Sequence, residues 1–364
     1  MHPPLVSVLL PAYNAAPYLA AALDSIVNQD YRRLEVIAID DGSTDDTLAI
    51  LESYRKADGR IRIVSRENRG LIATLNEGLA LASGDLVARM DADDIAYRSR
   101  LSRQVALFAQ QPELAICGTG ADTLIRNRLL RGTPHPIYRS GSLRALSKFF
   151  TLFLHSTVVY NRRVIPQDML FYDGRYVHAE DFDLFRRIAE RHPAAMIVES
   201  QLAYRQHEES VTARHRQRMR QTHLKIVGEN LAAEALAPNP DILRGIGDAV
   251  TVETVRGTAE FLLALDEGIA ALPEREKPSY QVGALNLFYF LYRMIGDEGR
   301  PALTHEFLTR TSKWGVIRRR ERYGLRAAAA APRLSLLSIA AARQVDAVEW
   351  YMKSKPAAAA LQTG

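Results

Sequence analysis

Two groups of aspartates stand at the ends of short apolar runs, and their type and spacing could do chemistry. Asp40-Asp41 follows Val36-Ile37-Ala38-Ile39, and Asp91-Ala92-Asp93-Asp94 follows Leu86-Val87-Ala88-Arg89-Met90. Carboxylates that close repel one another, so something positive must offset them, most simply a divalent metal with oxygen ligands. A metal held by few carboxylates and otherwise open is what a bound diphosphate needs. The pattern points to a nucleotide-dependent enzyme. A further acidic pair, Glu180-Asp181, opens a helical stretch, where the dipole and exposed backbone N–H groups favour negative charge.

These groups need elements that bring them to one face. Apolar runs over residues 5–10, 35–39, 61–64, 86–90 and 114–117 read as strands. Helical patterns lie between them, near 18–28, after Ser43, over 71–82 and over 99–110. Ser43 with Asp46 three residues on has capping-box spacing. The alternation predicts an α/β fold, a doubly wound and mostly parallel sheet flanked by helices, whose ligands bind beyond the carboxyl ends of the strands. Residues 139–153 look helical, 155–160 extended, 181–191 helical and 195–199 extended. After about residue 211 long helical segments take over, broken by Pro238-Asn239-Pro240, Pro273, Pro278 and Pro301. Two domains are expected: 1–215 with the sheet, and 216–364, mainly helical.

Composition narrows the class. The 364 residues are 47% hydrophobic and 24% charged, as in globular proteins with a full core. The single cysteine, Cys117, excludes a disulfide framework and a cysteine-rich zinc site, and fits a reducing cytoplasm. The run over 5–10 is short and ends at Pro11, so no signal peptide is expected. The apolar stretches 283–295 and 327–342 are too short for a membrane span or carry arginine. A net charge of +5 favours anionic partners. A dinucleotide-binding oxidoreductase needs a Gly-x-Gly-x-x-Gly turn after the first strand. Here Pro11-Ala12-Tyr13-Asn14-Ala15-Ala16 follows, with no glycine.

With Pro11-Ala12-Tyr13-Asn14, Asp40-Asp41-Gly42-Ser43 and Asp91-Ala92-Asp93-Asp94 on successive strand ends, the chain resembles the family 2 glycosyltransferases of the GT-A fold. The resemblance spans roughly the first 210 residues. It includes Asn68-Arg69-Gly70 with Asn76, the Glu180-Asp181 pair, and Arg205-x-His207-x-x-Ser210. It implies transfer of a sugar from a nucleotide-diphosphate donor, often UDP-linked, to an acceptor hydroxyl with inversion. Carried over residue by residue, it has Pro11, Ala12 and Tyr13 lining the base, with Asn14 beside them and Asp40 accepting from a base N–H. Asp41, Asn76 and Ala92 would belong to the same nucleotide site, and Asn68 and Gly70 would close it. Asp91 would face ribose and metal, and Asp93 would ligate Mn2+ or Mg2+. Arg205, His207 and Ser210 would cover the diphosphate from a loop. Asp181 would be the general base, with Glu180 orienting substrate or base.

Plainer readings stand beside these. Asp45-Asp46 reads as a helix start, and Asp94 either caps the next segment or joins the metal set. His155-Ser156-Thr157 lacks a spaced acid partner for a hydrolase triad and suggests an acceptor-side wall. The basic runs 214–220 and 318–322 are solvated faces, or attract an anionic membrane with Trp314 and Tyr323 as interfacial aromatics. No nucleic acid is expected as partner. The acceptor implied is a glycan or a lipid-linked sugar in surface polysaccharide or glycoconjugate assembly. The expected setting is cytoplasmic, at most peripheral on the inner face of the membrane. The competing readings are a polyprenyl-phosphate sugar synthase of the same fold and a non-catalytic nucleotide-sugar-binding scaffold.

Overall fold

The computed structural model describes residues 3–132, 142–207, 215–236, 239–319, 321–323, 325 and 355–356. The chain divides into two compact units. Residues 1–139, 151–214 and 354–364 form the first, and 140–150 with 215–353 form the second.

The first unit is built on a mixed sheet. Its strands β1 (Val6–Ala12), β2 (Leu34–Asp40), β3 (Ile61–Ser65) and β4 (Leu86–Arg89) are parallel, in the order β3-β2-β1-β4. All of β4 and nearly all of β1 are buried, as continuous apolar strands are when helices cover both faces. Those helices are α1 (Ala16–Val27), α2 (Thr47–Ala57), α3 (Leu71–Leu81) and α4 (Arg100–Gln110). On α1, Leu19, Leu23 and Ile26 form one apolar face that packs into the sheet core. The chain steps outward from β1 to β3, then crosses back to lay β4 on the other side of β1. Strand order reverses between β1 and β4, and in open α/β sheets the crevice beyond the carboxyl ends at such a point is where ligands bind.

Beyond β4 the sheet changes direction. The short β8 (Val159–Asn161) inserts antiparallel between β4 and β6 (Ile116–Ile125). β9 (Ala194–Gln206) runs parallel to β6 with register shifts around Gly120, and β5 (Ile95–Ala96) pairs antiparallel with β9. β7 (Arg128–Leu130) lies antiparallel to β6 and to β10 (Lys355–Pro356). The parallel half follows the expected winding; the half built of β5 to β10 departs from it through its antiparallel pairings.

Several local expectations change. The stretch 155–160 is not uniformly extended: a 3-10 turn, His155–Thr157, precedes β8. Ser43 does not cap α2. Its Oγ accepts the Asn14 N–H at 3.0 Å, and Asp45 takes the Thr47 N–H at 3.0 Å instead. Asp45 is more than a helix start, since its other oxygen accepts the Ala16 N–H at 3.1 Å and ties two turns together. Of the helix expected over 139–153, the described residues contain α5 (Leu143–Leu146). The next helix, α6 (Glu180–Arg191), belongs to the first unit.

The second unit is helical: α7 (Arg216–Ala233), α8 (Asp241–Asp248), α9 (Val252–Ala270), α10 (Lys277–Asp297) and α11 (Pro301–Arg310). A reciprocal Thr251–Thr254 cap starts α9, and Phe288 stacks on Phe307 at 5.4 Å between α10 and α11. Inside this unit Lys148 and Glu234 form an ion pair at 2.9 Å. Among the described residues no helix is long and apolar enough to cross a membrane. Trp314 does not stand free as an interfacial aromatic: its ring packs on His305 at 5.1 Å and its N–H donates to Thr309 at 3.3 Å. Tyr323 is exposed, as are Arg318 and Arg319.

Candidate active site

The crevice wall on the β1–β2 side is a set of loops held by buried carboxylates. Asp40, 2% exposed, accepts the Ser43 N–H at 3.1 Å and the Ser65 hydroxyl at 2.8 Å. Asp41 receives the Arg69 N–H at 2.9 Å, the Gly70 N–H at 3.0 Å and an ion pair from Arg66. Neither is a solvated turn carboxylate. Together they draw the loop at 66–70 over the end of β2. Gly42 is needed there: its φ is +76° and a Cβ would lie 2.7 Å from the Asn68 nitrogen. Asn68 itself is exposed at the loop surface, and Gly70, with φ +84°, starts α3. On the β1 side Pro11 is half-buried, Ala12 is buried and Tyr13 is 53% exposed. Asn14, at φ +48°, accepts the Thr44 N–H at 2.8 Å and locks that turn to the next. The Asn76 carboxamide is engaged by the Tyr172 main chain.

The second wall is the acidic cluster past β4. Oxygens of Asp91, Asp93 and Asp94 come within 4.8 Å of one another. Ala92 between them is buried. Asp91 pairs with the buried Arg89 and accepts the Ser156 hydroxyl, while its own N–H donates to Ser156 Oγ at 3.2 Å. Asp94 is not a cap. It is fully buried and accepts the Arg205 N–H at 2.8 Å, leaving its Oδ2 without a hydrogen-bond partner. The antiparallel β5–β9 pairing, Ile95 opposite Ala203, carries the end of β9 back along this cluster. Arg205 Nε then donates to the Asp93 carbonyl at 2.7 Å, and His207 Nε2 meets Asp93 Oδ2 at 2.9 Å. The Tyr18 ring on α1 packs against both, 4.8 Å from the His207 ring and 4.9 Å from the Arg205 guanidinium. Ser210 lies outside the described residues.

Charge crowding sets the ionisation of the cluster. Burial works against the Asp91 carboxylate, but the Arg89 guanidinium and the Ser156 hydroxyl hold it below the ordinary range. Asp93 is pushed up by burial and by Asp91, although His207 opposes this. Asp94 is pushed well up by burial and by both neighbours. An oxygen-rich cluster in which burial and like charge disfavour two of the carboxylates is one that a hard divalent cation would relieve.

The acidic pair lies at the start of α6, as its sequence position predicts. Phe182 N–H donates to Asp181 Oδ1 at 2.7 Å, and the Thr151 hydroxyl reaches Oδ2 at 3.4 Å. Burial nevertheless outweighs the helix start. It pushes Asp181 up to about 6, and burial with the Asp181 charge pushes Glu180 up to about 7. Beside them His155 Nε2 meets the Tyr172 hydroxyl at 2.8 Å, which meets the Tyr160 hydroxyl at 2.9 Å. Burial and Arg89 lower His155 to about 3, so it is neutral at physiological pH. Two residues of the site carried no motif, Arg89 and Tyr18, and Ser156 was singled out only with His155 and Thr157, not as a partner of Asp91. The one signal for Arg89 was a charge inside an otherwise apolar strand.

A family model described as glycosyl transferase family 2 matches residues 7–168. An uncharacterized glycosyltransferase of Haemophilus influenzae is 32% identical over 238 residues, 63% of this chain and 73% of that protein. The chain belongs to glycosyl transferase family 2. Another relative, the chondroitin synthase of Escherichia coli, is 28% identical over 233 residues, and the chain covers 33% of its length. Among solved structures, S. aureus TarS in complex with UDP-GlcNAc aligns with a TM-score of 0.53 at 17% identity, over 85% of this chain and 91% of that one. The mannosyltransferase PcManGT of Pyrobaculum calidifontis, with GDP-Man and Mn2+, aligns at 0.51 and 19% identity, over 86% and 88%. At those identities the likeness is one of fold: this family 2 chain has a GT-A-type sheet domain with a helical C-terminal region.

Proposed function

We propose that the chain is a metal-dependent, inverting glycosyltransferase that moves a sugar from a nucleotide-diphosphate donor, a UDP-sugar, to an acceptor hydroxyl. The carrying observation is the cluster Asp91, Asp93 and Asp94 past β4, with Arg89 ion-paired to Asp91 and acting electrostatically on the Glu180–Asp181 pair at the start of α6. Binding of UDP-GlcNAc by TarS and of GDP-Man with Mn2+ by PcManGT supports a nucleotide-sugar donor. Chondroitin synthesis by a relative supports a polysaccharide or glycoconjugate product. The acceptor is a glycan or lipid-linked sugar.

The three aspartates form an all-oxygen donor set that fits Mn2+ or Mg2+, and the partnerless Oδ2 of Asp94 supports the fit. Such an ion, when bound, offsets the negative charge that collects on a departing diphosphate. The residues of the chain do the rest. Tyr13 offers its exposed ring to the base, while Asp40 and Asp41 hold the loops around it. Arg205 and His207 cover the phosphates from the end of β9. Asp181 takes the proton of the acceptor hydroxyl as that oxygen bonds to the anomeric carbon. The bond from carbon to the phosphate oxygen breaks on the opposite side, and its electron pair leaves with the diphosphate. Glu180 orients the acceptor or the base. Exposed Arg318, Arg319 and Tyr323 support contact with an anionic membrane surface, where a lipid-linked acceptor resides.

The test is a panel of UDP- and GDP-sugars incubated with the chain and Mn2+, followed by release of nucleoside diphosphate. Release that needs the metal and is lost in Asp93→Ala is the expected result. Mn2+-independent binding of UDP and GDP, or none, overturns the reading.

A further inference from the structure

Arg89 is a charged residue inside an apolar strand, and its side chain is 1% exposed. Strand alternation explains part of its placement. Arg89 and Asp91 are two residues apart, so both project from one face of β4 and its extension, and they form an ion pair. Across the strand gap, the Arg89 N–H donates to the Val158 carbonyl at 2.9 Å, which places Tyr160 of β8 on that same face. Helix α6 covers this face, with the Phe185 ring 6.4 Å from that of Tyr160 and 6.1 Å from that of His155. The first turn of the same helix carries Glu180 and Asp181.

Burying a guanidinium is expensive, and a purely structural one normally spends all its donors on partners. Arg89 does not. Its Nε and Nη1 are buried with no hydrogen-bond partner, and only Nη2 bonds Asp91. What the site retains is therefore the charge more than the hydrogen bonds. We propose that Arg89 is a positioning residue: its guanidinium fixes the Asp91 carboxylate and is the positive charge that the Glu180–Asp181 pair faces. The inference rests on the reading of Asp181 as base.

The electrostatics of the surrounding groups agree. The Arg89 charge lowers Asp91, Glu180 and Asp181 and depresses His155. It also acts on the hydroxyls of Tyr160 and Tyr172. A further nearby cation is Arg100, which donates to the Arg89 carbonyl at 2.8 Å and has Asp94 as its main anionic partner. Asp181 otherwise faces the Thr151 hydroxyl, the Phe182 N–H and the Glu180 carboxylate. One cation thus serves an acidic group on either side.

The experiment is a carbon-13 NMR titration of the side-chain carboxyls of Glu180 and Asp181 in the unliganded protein. The signals are assigned with Glu180→Gln and Asp181→Asn. In Arg89→Met, a buried hydrophobe of similar length, both midpoints should rise, by about a few tenths of a pH unit or more. Arg89→Lys should restore them. If Arg89→Met does not fold, the nitrogen-15 signal of Arg89 Nε in the native protein replaces it, and should shift between native chain and Asp181→Asn. Unmoved midpoints in folded Arg89→Met, or an unmoved Nε signal, overturn the proposal. Calorimetry of UDP with Mn2+ separates the two ideas. Should native protein not bind UDP while the midpoints move as expected, the donor assignment fails and the charge coupling stands. Should UDP bind normally with the midpoints fixed, the Arg89 role alone fails.

Discussion

Asn76 grips the main chain of Tyr172 from both sides: its Nδ2 donates to the Tyr172 carbonyl at 2.9 Å, and its Oδ1 accepts the Tyr172 N–H at 2.8 Å. One carboxamide thereby joins α3 to the segment whose tyrosine hydroxyl meets both His155 and Tyr160. Asn76→Ala leaves two main-chain groups short of partners and should destabilise the fold by about 2 kcal/mol. Urea unfolding checks this. UDP affinity with Mn2+ should change little. A loss of UDP affinity without a loss of stability would make Asn76 a nucleotide contact instead.

Asp93→Ala and Asp181→Asn should fail in opposite ways. The first removes a carboxylate from the cluster that would hold the metal, so calorimetry should show Mn2+-dependent UDP binding lost. The second keeps the shape of the base but cannot take the proton. Turnover should fall by about 10²- to 10⁴-fold while UDP affinity stays near native. Near-normal turnover in Asp181→Asn would move the base to Glu180.

The raised carboxyls predict a pH dependence with a definite sign. Transfer needs ionised Asp181, so kcat/KM should climb as pH rises through about 6. Stability moves the other way. A carboxyl raised on folding contributes stability that is fully present below its unfolded value, 3.8, and is lost as pH rises through about 6. Asp181→Asn removes that dependence, so its stability relative to the native chain should grow between about pH 4 and about pH 7. Urea midpoints across that window decide. A constant difference would mean that Asp181 is not raised.

Much of this was legible in the chain. The apolar runs of β1 to β4 and the acidic residues after them follow from burial and from the carboxyl-end rule for ligands, and the structure brings Asp91, Asp93 and Asp94 together. The start of α6 at Glu180 was readable from its acidic first turn. The antiparallel half was harder. β8 is three residues long, and no periodicity marks so short a strand. Ser43 had a cap's spacing, yet tertiary contact with Asn14 took its hydroxyl. Tyr18 and Ser156 act through contacts 189 and 65 residues away in sequence, to His207 and Asp91, and no local pattern encodes those.

The basic C-terminal face should associate with anionic vesicles. Flotation with phosphatidylglycerol liposomes should recover the chain at low salt, and recovery should fall at high salt as charge is screened. Replacing Arg318, Arg319 and Arg322 by Ser should abolish it. Equal recovery with neutral vesicles, or none with either, removes the membrane from the picture.

The one cysteine of the chain, Cys117, is wholly buried in β6, and burial pushes its thiol up to about 12. A thiol so held has almost no thiolate at neutral pH and no access to reagents. Maleimides should therefore leave the folded protein untouched without any cysteine having to be removed. A cysteine introduced on an exposed site such as Tyr13 would be the sole reactive thiol, ready to carry a fluorophore or spin label at the mouth of the crevice. The native sequence is already the cysteine-silent background that labelling studies ordinarily have to engineer.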